Sequence, residues 1–283
     1  MVASRLGLAV VFGLYGLLGL LLIAFLAPST FPGADLGIYQ RAGRDLLAHG
    51  DPYYSSPQFP YVLQYRYPPL LAMLMPVLGW PPLWFGLLGA TTLGTFLIGV
   101  RQAGPAYLLP VIVLGGAWGQ VLLNGNVQPV LMALLAVVPL RRRTGAVTLA
   151  IATMLKLHPA LGVIWYVGRR DWQALRWYAG AMVVLLVVQA PWLGTFIRFY
   201  LADEVASPFG QLGFGLRAIH PLIWVAGTVL LGVAAFRWAD TRPGWLLNIC
   251  LQLAALPRVL LVNLVLILAA PYEPRRRGTD VAA

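Results

Sequence analysis

The stretch LGLAVVFGLYGLLGLLLIAFL, residues 6–26, follows Arg5 and runs for 21 residues without a charged side chain. At 1.5 Å of rise per residue, a helix of that length covers ~30 Å, the thickness of a bilayer's hydrocarbon. It therefore predicts a first transmembrane helix. A cleaved signal peptide is the competing reading, but the apolar region of such a peptide usually runs only about 7 to 15 residues. The rest of the chain has the same character. Of 283 residues, 60% are hydrophobic and 10% charged, and the mean hydropathy is +0.78. Soluble domains carry roughly 25% charged residues, and no aqueous fold hides so much apolar surface. Lipid solvates it, provided that every backbone donor and acceptor is paired inside helices. The expected fold class is all-α: a polytopic transmembrane helical bundle forming a single domain over residues 1–283, with no separate soluble catalytic domain.

The net charge of +11 is carried in short clusters beside apolar runs, at Arg101, Arg141 to Arg143, Arg169 with Arg170, Arg237 with Arg242, and Arg275 to Arg277. Such clusters report topology rather than a nucleic-acid partner, because cytoplasmic loops retain basic residues. Placing them all inside predicts about ten membrane segments in a cell membrane, with both termini cytoplasmic. Residues 28–67 and 194–214 then form two extracytoplasmic loops, with further outer turns near 120–126, 156–159 and 257–258. Residues 144–155 and 160–168 are shorter than the ~20 residues of a full crossing. They read as half-spanning hairpins around a hydrated interior, since broken segments are tolerated at membrane depth only where protein or water covers them. Residues 68–79 read as a membrane-surface helix before a crossing at 82–100. Cys250 is the only cysteine, so no internal disulfide forms.

Five of the nine acidic residues, Asp35, Asp45, Asp51, Asp203 and Glu204, fall on the expected outer side. None sits mid-span, where a proton or ion pathway would normally place carboxylates. This lowers a transporter or lipid flippase, the main alternative to an enzyme, and a non-catalytic membrane partner is a third reading. In the first loop, Asp35 can cap an amphipathic helix that ends at Gly50, with Asp35, Tyr39, Ala42 and Leu46 along one face. A helix cap is the plain reading of Asp35. The amides Gln120, Asn124, Asn126 and Gln128 cluster between apolar runs, where they need partners, either a ligand or backbone at a helix break. There is no P-loop, dinucleotide fingerprint, H-E-x-x-H or cysteine pair, so neither a metal nor a cofactor is expected.

Four stretches carry a likeness to a known family. They are the D-x-x-x-Y segment at Asp35 and Tyr39 with Asp51-Pro52-Tyr53 and Tyr67-Pro68-Pro69-Leu70; Gly119-Gln120 with Gly125-Asn126-Val127-Gln128-Pro129; Lys156-Leu157-His158-Pro159; and the apolar run closing on Pro257-Arg258. In order and spacing the chain resembles the GT-C polyprenyl-phosphate-sugar glycosyltransferases, specifically the mannosyltransferase-like glycosyltransferase family 87. The resemblance covers residues 30–180 best, and it exchanges glutamine and asparagine within 125–128.

The resemblance implies inverting transfer of a sugar, mannose or a similar hexose, from a polyprenyl-phosphate donor to a lipid or glycan acceptor on the extracytoplasmic face. Asp35 is the matching general base, and Tyr39 lies one turn along its face. The leaving phosphate needs a cation. Lys156, the only lysine, is the first candidate, with His158, Arg66 and Arg258 beside it. Tyr67, Gln120, Asn126 and Gln128 complete the expected substrate-binding set. For Lys156, Arg66 and Arg258 the competing reading is anchoring to headgroups, and for His158 it is a turn residue before proline.

Overall fold

The computed structural model describes residues 34–59, 63–206, 220–241, 243–256 and 261–270, and among these the chain is all-helical. The apolar run 6–26, Arg242, the Pro257-Arg258 pair and the arginines 275–277 lie outside the described residues.

The first described helix, α1 (Ala34–His49), ends where expected. Gly50 has φ +69°, and its N–H reaches Leu46 O at 3.0 Å, the left-handed glycine stop of a helix. Two proline-led helices follow, α2 (Pro69–Leu78) and α3 (Pro81–Ala103). Proline at the first helical position removes a donor that has no partner there in any case. Gly43 lets α1 lie on α2: a Cβ added there would come within 2.7 Å of Met75 Cβ.

A 3₁₀ turn, Gly104–Tyr107, carries α3 into α4 (Leu108–Val113). Two short helices come next, α5 (Gly115–Leu123) and α6 (Gln128–Val137), bent by 119° at the break between them. α7 (Arg142–Leu155) then runs to Lys156, and the chain returns through the 3₁₀ segment His158–Gly162 and α8 (Val163–Gly168). The long α9 (Trp172–Ala206), α10 (Pro221–Arg237) and α11 (Gly244–Ala254) precede a final 3₁₀ segment, Leu261–Ala269.

Among the described residues, two helical stretches are long and apolar enough to cross a membrane, Pro81–Val113 and Trp172–Tyr200, and α5 with α6 adds a third if the bent pair is one span. The other apolar helices, including α2, α10 and α11, are shorter. α7 and the 158–168 return are short as well, and the breaks at 123–128 and 155–158 match the expected turns near 120–126 and 156–159. α9 presents Val183, Val184 and Val187 outward, each more than half exposed, which is how a span faces lipid. Leu131, Met132 and Leu135 of α6 and Ala146 and Leu149 of α7 are fully buried and form the centre of the core.

Within the expected outer segment 194–214, the chain is helical as far as Ala206, the end of α9. Proline at 191 does not end it. Contacts from the first loop support the helix beyond that proline: Trp192 Nε1 donates to Gly50 O at 2.6 Å, and Phe196 stacks on Tyr53. Tertiary packing here overrides a local breaker.

Candidate functional site

The start of α1 is tied to the break between α5 and α6. The N–H groups of Asp35 and Leu36, which have no partner within their own helix, donate to Asn124 O at 3.0 and 3.2 Å. Gly125 makes this approach possible. Its φ is +66°, a Cβ there would meet Leu36 Cβ at 2.9 Å, and its carbonyl accepts from Trp84 Nε1 at 2.8 Å. Asp35 therefore sits inside the first turn of α1, and its side chain is turned to another partner. Asn126 Nδ2 donates to Asp35 Oδ2 at 2.8 Å.

The same asparagine lies close enough to the Tyr67 hydroxyl to act on it, and Tyr39 OH donates to Tyr67 OH at 3.1 Å with the two rings edge-on at 5.1 Å. Val127 N–H reaches Tyr39 OH at 3.4 Å. Lys156, at the turn after α7, places Nζ 5.3 Å from the Tyr67 ring centre and feels the Asp35 charge. Asp35, Tyr39, Tyr67, Asn126 and Lys156, drawn from four separate stretches of the sequence, thus form one cluster.

Electrostatics sharpen the picture. Burial raises the Asp35 carboxyl above its ordinary value, against the pull of Asn126 and Lys156. Burial lowers the Lys156 amine to about 8, with Asp35 opposing. His158 is pushed down to about 3 by burial and by the neighbouring lysine, so it is neutral. Tyr39 and Tyr67 are raised by burial and remain phenols, able to donate hydrogen bonds.

Four other carboxylates, Asp45, Asp51, Asp171 and Asp240, have structural partners. Asp45 accepts from the Ser55 hydroxyl and N–H, and Asp51 from Tyr53 N–H at 2.9 Å. Asp171 caps α9 through Ala174 N–H at 3.1 Å and pairs with Arg142 at 3.0 Å, and Asp240 lies 3.5 Å from Arg169. Among these, Asp35 is the one partnered by a neutral amide and a buried cation.

The expected substrate-binding set is divided by the fold. Gln128 is fully buried and turned from Asp35 toward Asn263, donating through Nε2 to Asn263 Oδ1. Asn126 lies in the break before α6, whereas Gln128 opens that helix. Gln120 contributes a backbone bond, its carbonyl accepting from Asn124 N–H at 3.0 Å, and its side chain joins none of the cluster's hydrogen bonds among the described residues. His158 Nε2 is buried without a partner among the described residues. Arg66 donates to Gln64 Oε1 at 3.0 Å, beside Tyr67.

Sequence reasoning missed Trp84, which holds the Gly125 turn, and the interior amides Asn248, Gln252 and Asn263. A signal for two of them existed: positions 248 and 252 are one turn apart on an apolar helix, so both amides share a face.

No family model matches the chain, and no curated protein or solved structure matches it at a significant level.

Proposed function

We propose that the protein is a membrane glycosyltransferase that moves a hexose, mannose or a close relative, from polyprenyl phosphate to a hydroxyl of a lipid or glycan acceptor, with inversion. Asp35 is the general base. It takes the acceptor proton as the acceptor oxygen bonds to the anomeric carbon and the bond from that carbon to the phosphate oxygen breaks. Lys156 balances the charge left on the lipid phosphate. The observation that carries this reading is the Asp35–Asn126–Lys156 arrangement: a largely desolvated carboxylate, oriented by an amide at 2.8 Å, near a single buried amine.

The chemistry fits those groups. A hydroxyl attacks well only while its proton is being removed, and a positioned base contributes about 10² to 10⁴-fold. A preorganised cation in a water-poor site stabilises the departing anion far more than it would in water. Tyr67 stays protonated, and its hydroxyl, which accepts from Tyr39, can donate to a sugar or phosphate oxygen. In this reading the short helices complete a bundle of about ten membrane segments in the cell membrane, and the cluster opens to the extracytoplasmic side, where a lipid-linked donor enters laterally.

The test is incubation of purified protein with polyprenyl-phosphate radiolabelled mannose and membrane lipids, comparing wild type with Asp35→Asn. Transfer by the wild type and its loss in the variant support the proposal. Solute transport that survives Asp35→Asn, with no transfer by either protein, overturns it in favour of a transporter.

A further inference from the structure

The end of the bundle away from the Asp35 cluster, where α7 starts, carries a second concentration of charge. Three chain reversals meet there. Arg142 joins Asp171 at 3.0 Å and Gln173 at 2.9 Å, which ties the start of α7 to the start of α9. Arg169 lies 3.5 Å from Asp240, and a Cβ added at Gly168 would come within 2.4 Å of the Phe236 carbonyl oxygen, so the end of α8 packs on the end of α10. Arg141, Arg142, Arg143, Arg169, Arg170 and Arg237 share this end with two carboxylates among the described residues, Asp171 and Asp240.

The same end borders an apolar zone. Trp172 opens the stretch Trp172–Tyr200, which is long and apolar enough to cross a membrane. It is 60% exposed, and Trp238, just past α10, is 49% exposed. Indoles exposed at the end of an apolar helix suit the headgroup layer, where the ring meets apolar surroundings and the N–H meets water. Farther along, Val183, Val184 and Val187 of α9 and Val229, Leu230 and Val233 of α10 face outward. The arginines therefore stand at the depth of lipid phosphates.

Their geometry suits an anion. The Arg143 guanidinium lies over the Trp177 ring, 4.1 Å from its centre. A guanidinium in that position uses its face for the ring and keeps its N–H edge for a bidentate acceptor. Arg141, Arg143, Arg170 and Arg237 are exposed and have no carboxylate partner among the described residues. Arg170 adds a separate sign. Its φ is +54°, and the chain reverses around it, with Arg170 N–H on Val167 O and Asp171 N–H on Tyr166 O, both at 2.9 Å. Glycine would take that left-handed conformation without strain, so a charged side chain stands there at a cost to the fold.

We infer that this end of the bundle is a docking surface for anionic phospholipids, whose headgroup phosphates are received by Arg143, Arg170 and Arg237 while the acyl chains lie along α9 and α10. Charge complementarity selects the occupant. A zwitterionic headgroup brings an ammonium that these arginines repel, whereas an anionic headgroup brings net negative charge. An arginine close to an anionic lipid surface strengthens binding about fivefold at low salt. The inference does not depend on the chemistry of the Asp35 cluster.

The test is electron paramagnetic resonance of spin-labelled lipids around the purified full-length protein in phosphatidylcholine bilayers, comparing labelled phosphatidylglycerol with labelled phosphatidylcholine. The wild type is expected to prefer phosphatidylglycerol at least about fivefold at low salt, and to lose the preference in molar salt, where the screening length falls to ~3 Å. Combining Arg143→Gln, Arg170→Gln and Arg237→Gln is expected to abolish the preference. Arg170→Gly is expected to weaken it several-fold while the thermal midpoint holds or rises, because the backbone strain is relieved. A purely structural role for that arginine would not move the two readouts in opposite directions. Equal association of both lipids with the wild type, or a preference unchanged in the variants, means that the arginines serve only as topology signals and overturns the proposal. Displacement of the bound lipid by millimolar inorganic phosphate, which has no acyl chains, marks a free-phosphate site and overturns it as well. Should the triple variant fail to fold, Arg170→Gly decides alone.

Discussion

The two ends of α7 treat charge in opposite ways. At its start, Arg142 is half-exposed and pairs with Asp171, Arg143 lies 4.1 Å from the centre of the Trp177 ring, and Arg169 meets Asp240 nearby. At its end, ~20 Å away for a helix of this length, the single lysine is desolvated and shares its surroundings with one carboxylate and a neutral histidine. Exposed pairs with arginine in high dielectric contribute only about 0 to 1 kcal/mol each. They orient and anchor the chain. A desolvated carboxylate and amine at the other end cost stability, and groups perturbed in this way cluster at functional sites.

Substitutions at the two ends should therefore separate activity from stability. The largest effect is expected for Asp35→Asn, which lowers transfer by about 10² to 10⁴-fold. Thermal unfolding should show no loss of stability. A carboxyl raised in the folded state is destabilised as an ion above its unfolded value, so the neutral amide removes that cost at neutral pH. Lys156→Met should reduce kcat by about 10²-fold through the leaving phosphate, measured in the same assay.

The pH profile of transfer follows from both groups. Activity requires Asp35 ionised and Lys156 protonated, so it should fall as pH drops through a value above the ordinary aspartate range. It should also fall as pH rises through about 8. Lys156→Arg should remove the upper limb if it retains transfer.

At the opposite end the expectations invert. Asp171→Ala removes a helix cap and the Arg142 pair, and should cost about 1 kcal/mol in denaturant unfolding with transfer unchanged. Arg143→Ala should have the smallest effect, at most about 0.5 to 1 kcal/mol from the Trp177 contact. Loss of transfer in Asp171→Ala with stability intact would erase the distinction between the ends.

How much of this was legible beforehand differs by residue. The end of α1 at Gly50, the breaks near 123–128 and 155–158 and the separate helix 69–78 follow from local chemistry, glycine in the left-handed region and proline at helix starts. Continuation of α9 past Pro191 was not legible, because it depends on Trp192 reaching Gly50 and Phe196 reaching Tyr53. Asp35 was readable as a candidate but equally as a cap, since aspartate near a helix start suits both. Proximity in sequence groups Gln128 with Asn126, but their side chains take different partners, Asn263 and Asp35.

Composition and periodicity by themselves determined that this chain is helical and apolar enough for lipid, because backbone pairing and apolar burial are local or additive and can be summed along a sequence. Which amide meets which carboxylate was decided only by tertiary structure. Asp35 and Asn126, or Gln128 and Asn263, are brought within hydrogen-bond reach by helix breaks and glycine contacts, and the direction of each side chain there depends on elements far away in the chain.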